Sequence, residues 1–164
     1  MTIKGLSLWQ PWASLMVVGA KRIETRSWST NYRGLVAIHA AKKWDSDLKE
    51  WAMITRFWNQ LSKNHRSISE LPRGCFVALG RLHRCLSTND YPEAIPAEGT
   101  DEHEFGDYSP ERYMWVFDEI WKLKQPVFTA GHQGLWTLDE GEADVVLAML
   151  PDGVEDQLEE KCAR

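Results

Sequence analysis

The stretch that decides the fold is residues 6–28, LSLWQPWASLMVVGAKRIETRSW. Residues 3–8, IKGLSL, overlap the start of this stretch and predict a short strand. Pro11 suits the first turn of a helix and Gly19 suits the end of that helix. The chain then carries four charged side chains within six positions, and we expect this part to be extended.

The charged part runs from Lys21 to Arg26. Because side chains alternate along an extended chain, Arg22, Glu24, Arg26 and Trp28 are predicted to share one face. A carboxylate between two guanidinium groups stays ionised, and such an arrangement holds an anionic or hydrogen-bonding ligand in a fixed geometry. An ion-paired surface strand is the alternative interpretation.

Nine tryptophans is an unusual number for 164 residues. Trp9 and Trp28 bracket the charged part, where their flat faces suit a nucleobase. Trp12 is a further binding candidate, although its helical spacing also favours a place in the core. Trp51 and Trp58 are expected to be core residues, since they share one face of a helix predicted over residues 47–61.

The rest of the chain predicts several strands interrupted by helices, without regular βαβ order. The further elements are strands at residues 34–40, 74–86, 113–121 and 134–138 and a helix near 140–150. This pattern predicts one α+β domain over residues 1–150, followed by a charged tail, residues 151–164, that frays. A small β-barrel would close such a sheet without leaving edges.

Charge is distributed unevenly along a chain whose net charge is −5. Residues 1–43 hold seven Lys and Arg against one acid, and residues 56–86 hold six against one. The acids concentrate in residues 87–111 and 139–164. We therefore predict a basic cleft on a mildly acidic protein; the alternative is that the charges solvate separate surfaces. Residues 87–111 are expected to be a plain loop, with a lid over the cleft as the alternative.

Five basic residues outside the charged part are weaker binding candidates. Arg33 is placed with Lys21 and Arg26 as a donor to phosphate or base oxygens, and Arg81 is interpreted either as cleft lining or as a solvated strand end. His39 either binds phosphate or acts as a base, or it is a satisfied core histidine. Lys42 and Lys43 follow the strand at 34–40 and either contact phosphate or are free in solvent.

Three cysteines without close spacing, Cys75, Cys85 and Cys162, indicate reduced thiols and not a disulfide framework or a zinc site. The start, MTIKGLSLWQPW, lacks the features of a signal peptide, and no window approaches the roughly 20 apolar residues of a membrane span. We expect a cytoplasmic protein with no membrane partner and no cofactor. The pattern does not indicate an oligomeric state.

The sequence resembles the ASCH (activating signal cointegrator 1 homology) domain. The resemblance rests on LWQPWAS at residues 8–14, the G-x-K-x-x-E-x-R-x-W run at 19–28, YRG at 32–34, the strand ending at His39, and GxxGLW at 131–136. It covers roughly residues 3–140. It implies a PUA-like fold, a small β-barrel with several surrounding helices and a cleft.

Relatives of this kind include nucleic-acid binders, a ribonuclease acting on single-stranded RNA, and an amidohydrolase that removes the acetyl group of N4-acetylcytidine. The amidohydrolase type uses a Lys, a Thr three residues later and a distant Glu. Lys21 matches the Lys, but Glu24 occupies the Thr position and Thr25 is displaced by one residue. Four glutamates compete for the distant position: Glu102, Glu104, Glu111 and Glu119.

Two functions remain open from the sequence. In the first, the cleft binds single-stranded RNA or a modified nucleoside, with DNA as a further ligand. In the second, the same pocket is a hydrolase of the ribonuclease or the amidohydrolase type, with Lys21 as base or nucleophile, Glu24 orienting water and Thr25 as a third catalytic candidate. Mg²⁺ is expected only for a ribonuclease. A protein-interaction domain is a weaker third interpretation.

Overall fold

The computed structural model describes the backbone of residues 1–162 and the side chains of residues 1–158. The strands of this part are β1 (Ile3–Leu8), β2 (Ile23–Arg26), β3 (Gly34–Ala40), β4 (Cys75–Ser87), β5 (Tyr113–Phe128) and β6 (Leu135–Thr137). The helices are α1 (Trp12–Val17), α2 (Ser46–Met53), α3 (Thr55–Leu61), α4 (Asp101–Glu104), α5 (Glu140–Ala148) and α6 (Val154–Cys162). None of these helices is long and apolar enough to cross a membrane.

The strands form one six-stranded mixed sheet in the order β2-β5-β4-β3-β1-β6. β1 and β3 are parallel, and the other neighbouring strands are antiparallel. The predicted α+β class is confirmed, but the sheet is open, so the closed barrel is not found. The two edge strands, β2 and β6, are only four and three residues long, which leaves little unpaired backbone at either edge.

Side-chain alternation along β3 separates two cores on the two faces of the sheet. Val36, Ile38 and Ala40 belong to a first core that includes α1 residues, whereas Leu35 and Ala37 belong to a second. The second core is covered by α5 and α6 through three buried side chains: Val146, Val154 and Leu158. The sheet is therefore buried on both faces, and alternate side chains of β3 enter two different cores.

The long helix predicted over residues 47–61 is two helices. The chain leaves helical geometry at Ile54 (φ −57°, ψ 131°), where α2 ends and α3 begins. The helix cap is also earlier than predicted, because the carboxylate of Asp45 accepts from the backbone N–H of Leu48. The break turns α3 towards a third core, which contains Phe57, Leu61, Leu71 and Phe105.

The acidic segment, residues 87–111, is not a plain loop. It contains a short 3₁₀ turn (Pro92–Ala94) and α4, and its Phe105 is only 1% exposed. The Phe105 ring packs against the Phe57 ring with centroids 4.6 Å apart. The segment has no periodic apolar residues, so its sequence predicted a loop. A single buried aromatic side chain, Phe105, anchors it instead.

The segment after Pro151 is helical in the part of the chain that the structure describes. α6 covers Val154 to Cys162, and Val154 and Leu158 are buried. Residues 163–164 of the predicted tail lie outside the described residues. The predicted start of α5 is confirmed, since Asp139 and Glu142 form a capping box.

Replacing Phe105 tests the anchoring of the acidic segment. We expect Phe105→Ala to lower the free energy of unfolding by about 3–5 kcal/mol, because it leaves a cavity in a closed core. Phe128 is the matched control, since it is 75% exposed. Phe128→Ala should change stability by less than about 0.5 kcal/mol. Chemical denaturation of both variants is the measurement, and equal effects would show that the segment is not anchored by this ring.

Candidate functional site

A cleft of about 500 Å³ lies between α1, β2, the two helices α2 and α3, and the acidic segment. Its walls are aromatic, supplied by Trp9, Trp12, Trp28, Trp51, Phe57 and Phe105. Its charged groups are Lys21, Glu24, Arg26, Glu104, Asp107 and Arg112. We call this site the cleft.

The turn after α1 places Lys21 inside the protein. Gly19 has a positive φ of 79°, which glycine adopts without strain, and it reverses the chain. The backbone N–H groups of Ala20 and Lys21 then both donate to the carbonyl of Leu15. The Lys21 side chain is 1% exposed; its Nζ donates to the carbonyl of Ile23 and lies 3.6 Å from Oε2 of Glu24.

Glu24 links this lysine to an arginine on the same strand. Oε1 of Glu24 lies 3.3 Å from Nε of Arg26, and Nη2 of Arg26 donates to the carbonyl of Ser7 at 2.7 Å. Lys21, Glu24 and Arg26 thus form one ionic array, which we call the charged array. Glu24, Arg26 and Trp28 line the cleft, but so do Thr25 and Ser27, which alternation had placed on the other face. Arg22 does not line it. Arg22 precedes the strand, and its Nη1 donates to the carbonyl of Asp118.

A second polar group closes the cleft from the side of the acidic segment. Nη2 of Arg112 donates to the carbonyl of Thr25 at 3.0 Å, and the hydroxyl of Thr25 accepts from the backbone N–H of Asp107 at 3.2 Å. Hydrogen bonds from Ser109, aided by the nearby charge of Arg112, hold the pKa of Asp107 below its ordinary value. The Asp107 carboxylate is therefore ionised at neutral pH.

Two buried donors in the cleft remain without a hydrogen bond among the described residues. They are the Nε–H groups of Arg26 and Arg112. Each lies beside a carboxylate oxygen, at 3.3 Å and 3.4 Å, without pointing at it. Buried donors usually have an acceptor. Here Glu24 and Asp107 supply the compensating charge without a well-aligned hydrogen bond.

The acidic segment is bound to the start of β2 by one carboxylate. Glu102 accepts from the backbone N–H groups of Arg22 and Ile23 at 2.8 and 2.9 Å, so this side chain is occupied. Among the four glutamates considered for a catalytic role, Glu104 is the one that lines the cleft. Glu119 instead lies 3.1 Å from Arg81, at another part of the sheet.

Three aromatic rings of the cleft wall support one another. The Trp12 ring lies 5.8 Å from Trp51 and 6.0 Å from Phe57, and Trp51 lies 5.6 Å from Phe57. On the opposite side, Trp28 packs edge-on against the buried Trp115 at 4.7 Å. The cleft is thus rigidly walled by rings, a shape that suits a flat ligand.

The cleft is not basic, contrary to expectation. Its three cations, Lys21, Arg26 and Arg112, are balanced by three carboxylates, Glu24, Glu104 and Asp107. The basic residues of 56–86 do not extend it. Arg56 pairs with Asp101, Arg66 pairs with Glu70, and Arg81 pairs with Asp118. Three of the six basic residues of 56–86 are thus paired with carboxylates, and none of the six lines the cleft.

Three predicted site residues lie away from the cleft. Arg33 donates to the carbonyls of Thr30 and Tyr32, and Arg81 is held by acids of β5. His39 has the parity of Leu35 and Ala37, so its side chain is on the opposite face of the sheet. There its Nδ1 is hydrogen-bonded to the hydroxyl of Ser7, and its Nε2 is hydrogen-bonded to the carbonyl of Thr129. It is the satisfied core histidine of the alternative interpretation.

Several residues of the cleft were not predicted from the sequence to belong to the site. Trp51 was expected to be a core residue, and Phe105, Asp107 and Arg112 were not considered for the site. One signal was available for Arg112: it is the single Lys or Arg between Arg84 and Lys122, directly before a predicted strand. The pairing of the acidic segment with β2 could not be read from spacing.

The fold and the cleft can be compared with known proteins. The ASCH domain family model matches residues 6–127, the part of the chain that builds the cleft. The chain belongs to the ASCH domain family. Activating signal cointegrator 1 of Mus musculus and of Homo sapiens are each 31% identical to this ASCH domain over 138 residues, which is 79% of this chain and 24% of each relative. The chain therefore spans about a quarter of the length of these curated relatives.

Solved structures support the assignment of the fold. ASCH from Zymomonas mobilis matches with a TM-score of 0.54 and 14% identity, covering 91% of this chain and 96% of that chain. A variant of the same protein matches with a TM-score of 0.56 and 12% identity, covering 92% and 100%. At this identity the likeness shows a shared fold.

The position of His39 has a consequence for stability. Burial lowers the pKa of His39, outweighing the hydrogen bond to the Thr129 carbonyl and the charge of Glu142, which raise it; His132 and Lys42 lower it further. The pKa of His65 is also lowered, chiefly by burial. The unfolded chain therefore binds more protons than the folded domain once the pH falls below about 6.5.

We expect the free energy of unfolding to decrease from pH 7.5 to pH 5.5. The decrease should be smaller in His39→Gln and smaller still when His65→Gln is added. Urea denaturation at several pH values is the measurement. An unchanged slope in His39→Gln would contradict a His39 that is buried and neutral in the folded domain.

Proposed function

We propose that this ASCH domain binds a single nucleoside in the cleft, either free and modified or as an unstacked base of single-stranded RNA. The observation that carries the proposal is the charged array within an aromatic-walled, charge-balanced cleft. Three further arguments support it: shape, polar complementarity and family membership.

The shape suits one flat ligand. A volume of about 500 Å³ falls within the range of about 300–1,000 Å³ that is usual for small-molecule sites. Unstacked bases are commonly recognised by stacking on aromatic side chains together with hydrogen bonds to their edges. Trp28 and Trp51 offer rings at the cleft, and the charged array offers hydrogen-bonding groups beside them.

The polar groups suit a base better than a phosphate. Lys21, Arg26 and Arg112 are donors, whereas Glu24 and Asp107 are acceptors. The edge of a cytosine or guanine presents an amino donor together with carbonyl or ring-nitrogen acceptors. A phosphate offers only acceptors and negative charge, and it would meet three carboxylates here. A base amino group would donate to Glu24, and a base oxygen would accept from the partly exposed guanidinium of Arg26 or Arg112.

The family supports nucleic acid as the ligand class. ASCH domains resemble readers of nucleic acids and modified nucleosides, and this chain has the motif residues Trp9, Lys21, Glu24, Arg26 and Trp28 together at one cleft.

Variants of the charged array test the proposal. Lys21→Met and Glu24→Gln keep the side-chain volumes while removing one charge each. We expect each to weaken nucleoside binding by about 2–4 kcal/mol, roughly 30-fold to 1,000-fold in Kd, because a buried charge loses its partner. Isothermal titration against a panel of standard and modified nucleosides is the measurement, with circular dichroism to verify folding.

Lys42→Ala is the control, because Lys42 lies outside the cleft and should change nucleoside affinity by less than about 1 kcal/mol. Equal losses for Lys42 and Lys21 would mean that the cleft is not the binding site.

Hydrolysis in the same cleft is a second candidate, favoured by Glu104. This exposed carboxylate lines the cleft, and its Oε1 accepts from the backbone N–H of Gly99 at a long 3.3 Å, so it can still take a proton from water. Glu102, by contrast, is occupied by backbone N–H groups at both oxygens. The Lys21 ammonium is paired with Glu24, so it suits donation to a developing oxyanion better than nucleophilic attack. The substrates would be N4-acetylcytidine-like nucleosides or single-stranded RNA.

Thr25 lines the cleft, and its hydroxyl accepts from the Asp107 N–H, which leaves its own O–H free to act on a substrate. Its catalytic role stays a prediction. The residues that the structure describes include no group of three or more His, Cys, Asp or Glu arranged to hold a metal ion. Mg²⁺ binds proteins through one or two carboxylates together with substrate phosphates, so its use by a ribonuclease stays a prediction.

Turnover of N4-acetylcytidine and of single-stranded RNA, each with and without Mg²⁺, tests the second candidate. Glu104→Gln should lower kcat by at least about 100-fold with little change in KM, because it removes the proton acceptor. Glu98→Gln is the matched control in the same acidic segment, outside the cleft. Absence of product with the unaltered protein would exclude hydrolysis of these substrates and leave the binding function.

A further inference from the structure

A basic aromatic surface adjoins the cleft. Trp9 lies at the cleft and is 52% exposed, and the Nζ of Lys43 lies 4.1 Å from the centroid of its ring. A second pair of the same kind lies close by: the guanidinium of Arg73 is 5.2 Å from the centroid of the Trp44 ring. Each of these two tryptophans, one exposed and one half-buried, is therefore paired with a cation.

These pairs belong to one surface because three chain segments meet there. The amide of Gln10, next to Trp9, donates to the carbonyl of Pro72 at 2.7 Å, next to Arg73. The side chain of Lys42 covers Gly74, where a Cβ atom would lie 2.9 Å from the lysine Cε. We call the surface formed by Trp9, Lys42, Lys43, Trp44 and Arg73 the Trp9 patch.

The Trp9 patch differs from the cleft in its charge. It has three cations, and Asp45 is the carboxylate that pairs with one of them, 3.2 Å from the Nζ of Lys43. That carboxylate also caps α2 by accepting from the Leu48 N–H. In addition, Nη1 of Arg73 is buried and makes no hydrogen bond with any described residue. The patch has an excess of donors and positive charge, which an acceptor-rich anion would satisfy.

Single-stranded nucleic acid has both features that this surface matches. Proteins that bind single strands place aromatic rings under successive bases and cations along the phosphates. The cleft offers balanced charge for one base, and the Trp9 patch offers rings and cations for the adjacent nucleotide of the strand. A free nucleoside would use the cleft alone.

We propose that the Trp9 patch binds the nucleotide that flanks the base held in the cleft. The flanking base stacks on the exposed ring of Trp9, and its phosphates meet the ammonium of Lys43 and the guanidinium of Arg73. The ligand of this domain is accordingly a single-stranded oligonucleotide, and the inference rests on the proposed function of the cleft. RNA and DNA share the phosphodiester and base chemistry on which the argument depends, so the test contains an arm for each.

The test compares an 8-nucleotide RNA of mixed sequence, its DNA counterpart and the four free nucleosides. Lys43→Gln is the variant, and Lys124→Gln is its matched control. The two lysines are 49% and 48% exposed and each pairs with an aspartate, but Lys124 lies against Asp152, after α5. Affinities are measured at several salt concentrations.

We expect the RNA to bind at least about 10-fold more tightly than any free nucleoside, since each stacked base contributes to affinity. Lys43→Gln should weaken RNA binding about threefold to tenfold at low salt and reduce the slope of log Kd against log salt by about 0.7, while leaving nucleoside affinity unchanged. Lys124→Gln should change neither. Trp9→Ala should weaken oligonucleotide binding by at least about fivefold. Equal affinities for the RNA and its DNA counterpart would support the proposal and show that the Trp9 patch does not recognise the 2′-hydroxyl.

An oligonucleotide that binds no better than a nucleoside, or equal effects of Lys43→Gln and Lys124→Gln, would overturn the proposal. So would displacement of the RNA by polyglutamate at equal charge concentration, which would indicate an acidic protein partner. Failure of the cleft looks different: oligonucleotide binding would then depend on Lys43 but not on Lys21 or Glu24. That result would retain the Trp9 patch as a nucleic-acid surface and reject the nucleoside pocket.

Discussion

The Lys21 ammonium is buried, and a buried ammonium must find its partners inside the protein. Its partners are the carbonyl of Ile23 and the carboxylate of Glu24, both on β2. Glu24 also faces Arg26, whose guanidinium reaches across to the carbonyl of Ser7 in β1. One charged group thus links the turn after α1, the edge strand β2 and the strand β1. The cleft exists where these elements meet.

An edge strand of four residues is weakly specified by itself, and the acidic segment supplies what β2 lacks. Glu102 accepts from the N–H groups of Arg22 and Ile23 at the start of the strand, and the Arg112 guanidinium binds the carbonyl of Thr25. Phe105 anchors the same segment in the third core. The acidic segment is therefore part of the site: it supports the strand that carries the charged array, and its own side chains line the cleft. This explains why a stretch without apolar periodicity is ordered.

Charge runs along the chain did not predict charge in space. The basic excess in residues 1–43 and 56–86 suggested one basic cleft, but Arg56 pairs with Asp101 and Arg112 lies beside Asp107. Acidic side chains of the segment 87–111 neutralise both the neighbouring helix and the cleft. Positive charge survives on the Trp9 patch, where three cations outnumber the carboxylate of Asp45. Balanced charge in the cleft and excess charge beside it is the distribution that a base and its phosphate require.

The sequence by itself determined the family, the α+β class and most of the elements, because short-range signals are strong there. The motif residues Trp9, Lys21, Glu24, Arg26 and Trp28 came together as their spacing indicated, since one short helix, one turn and one strand connect them. Strand alternation also determines on which face of the sheet the His39 side chain lies, once the faces of β3 are assigned. That face was decided by the packing of α1 on one side of the sheet and of α5 and α6 on the other.

Only the tertiary structure decided the second half of the site, because Glu104, Asp107 and Arg112 lie about eighty residues or more from the charged array and no local rule relates them. The same holds for the open sheet, for the break at Ile54 and for the Trp9 patch, which joins residues near 9, 43 and 73. Local propensity and spacing specify elements, whereas the choice among long-range partners depends on burying Phe105, pairing buried charges and satisfying backbone groups in three dimensions.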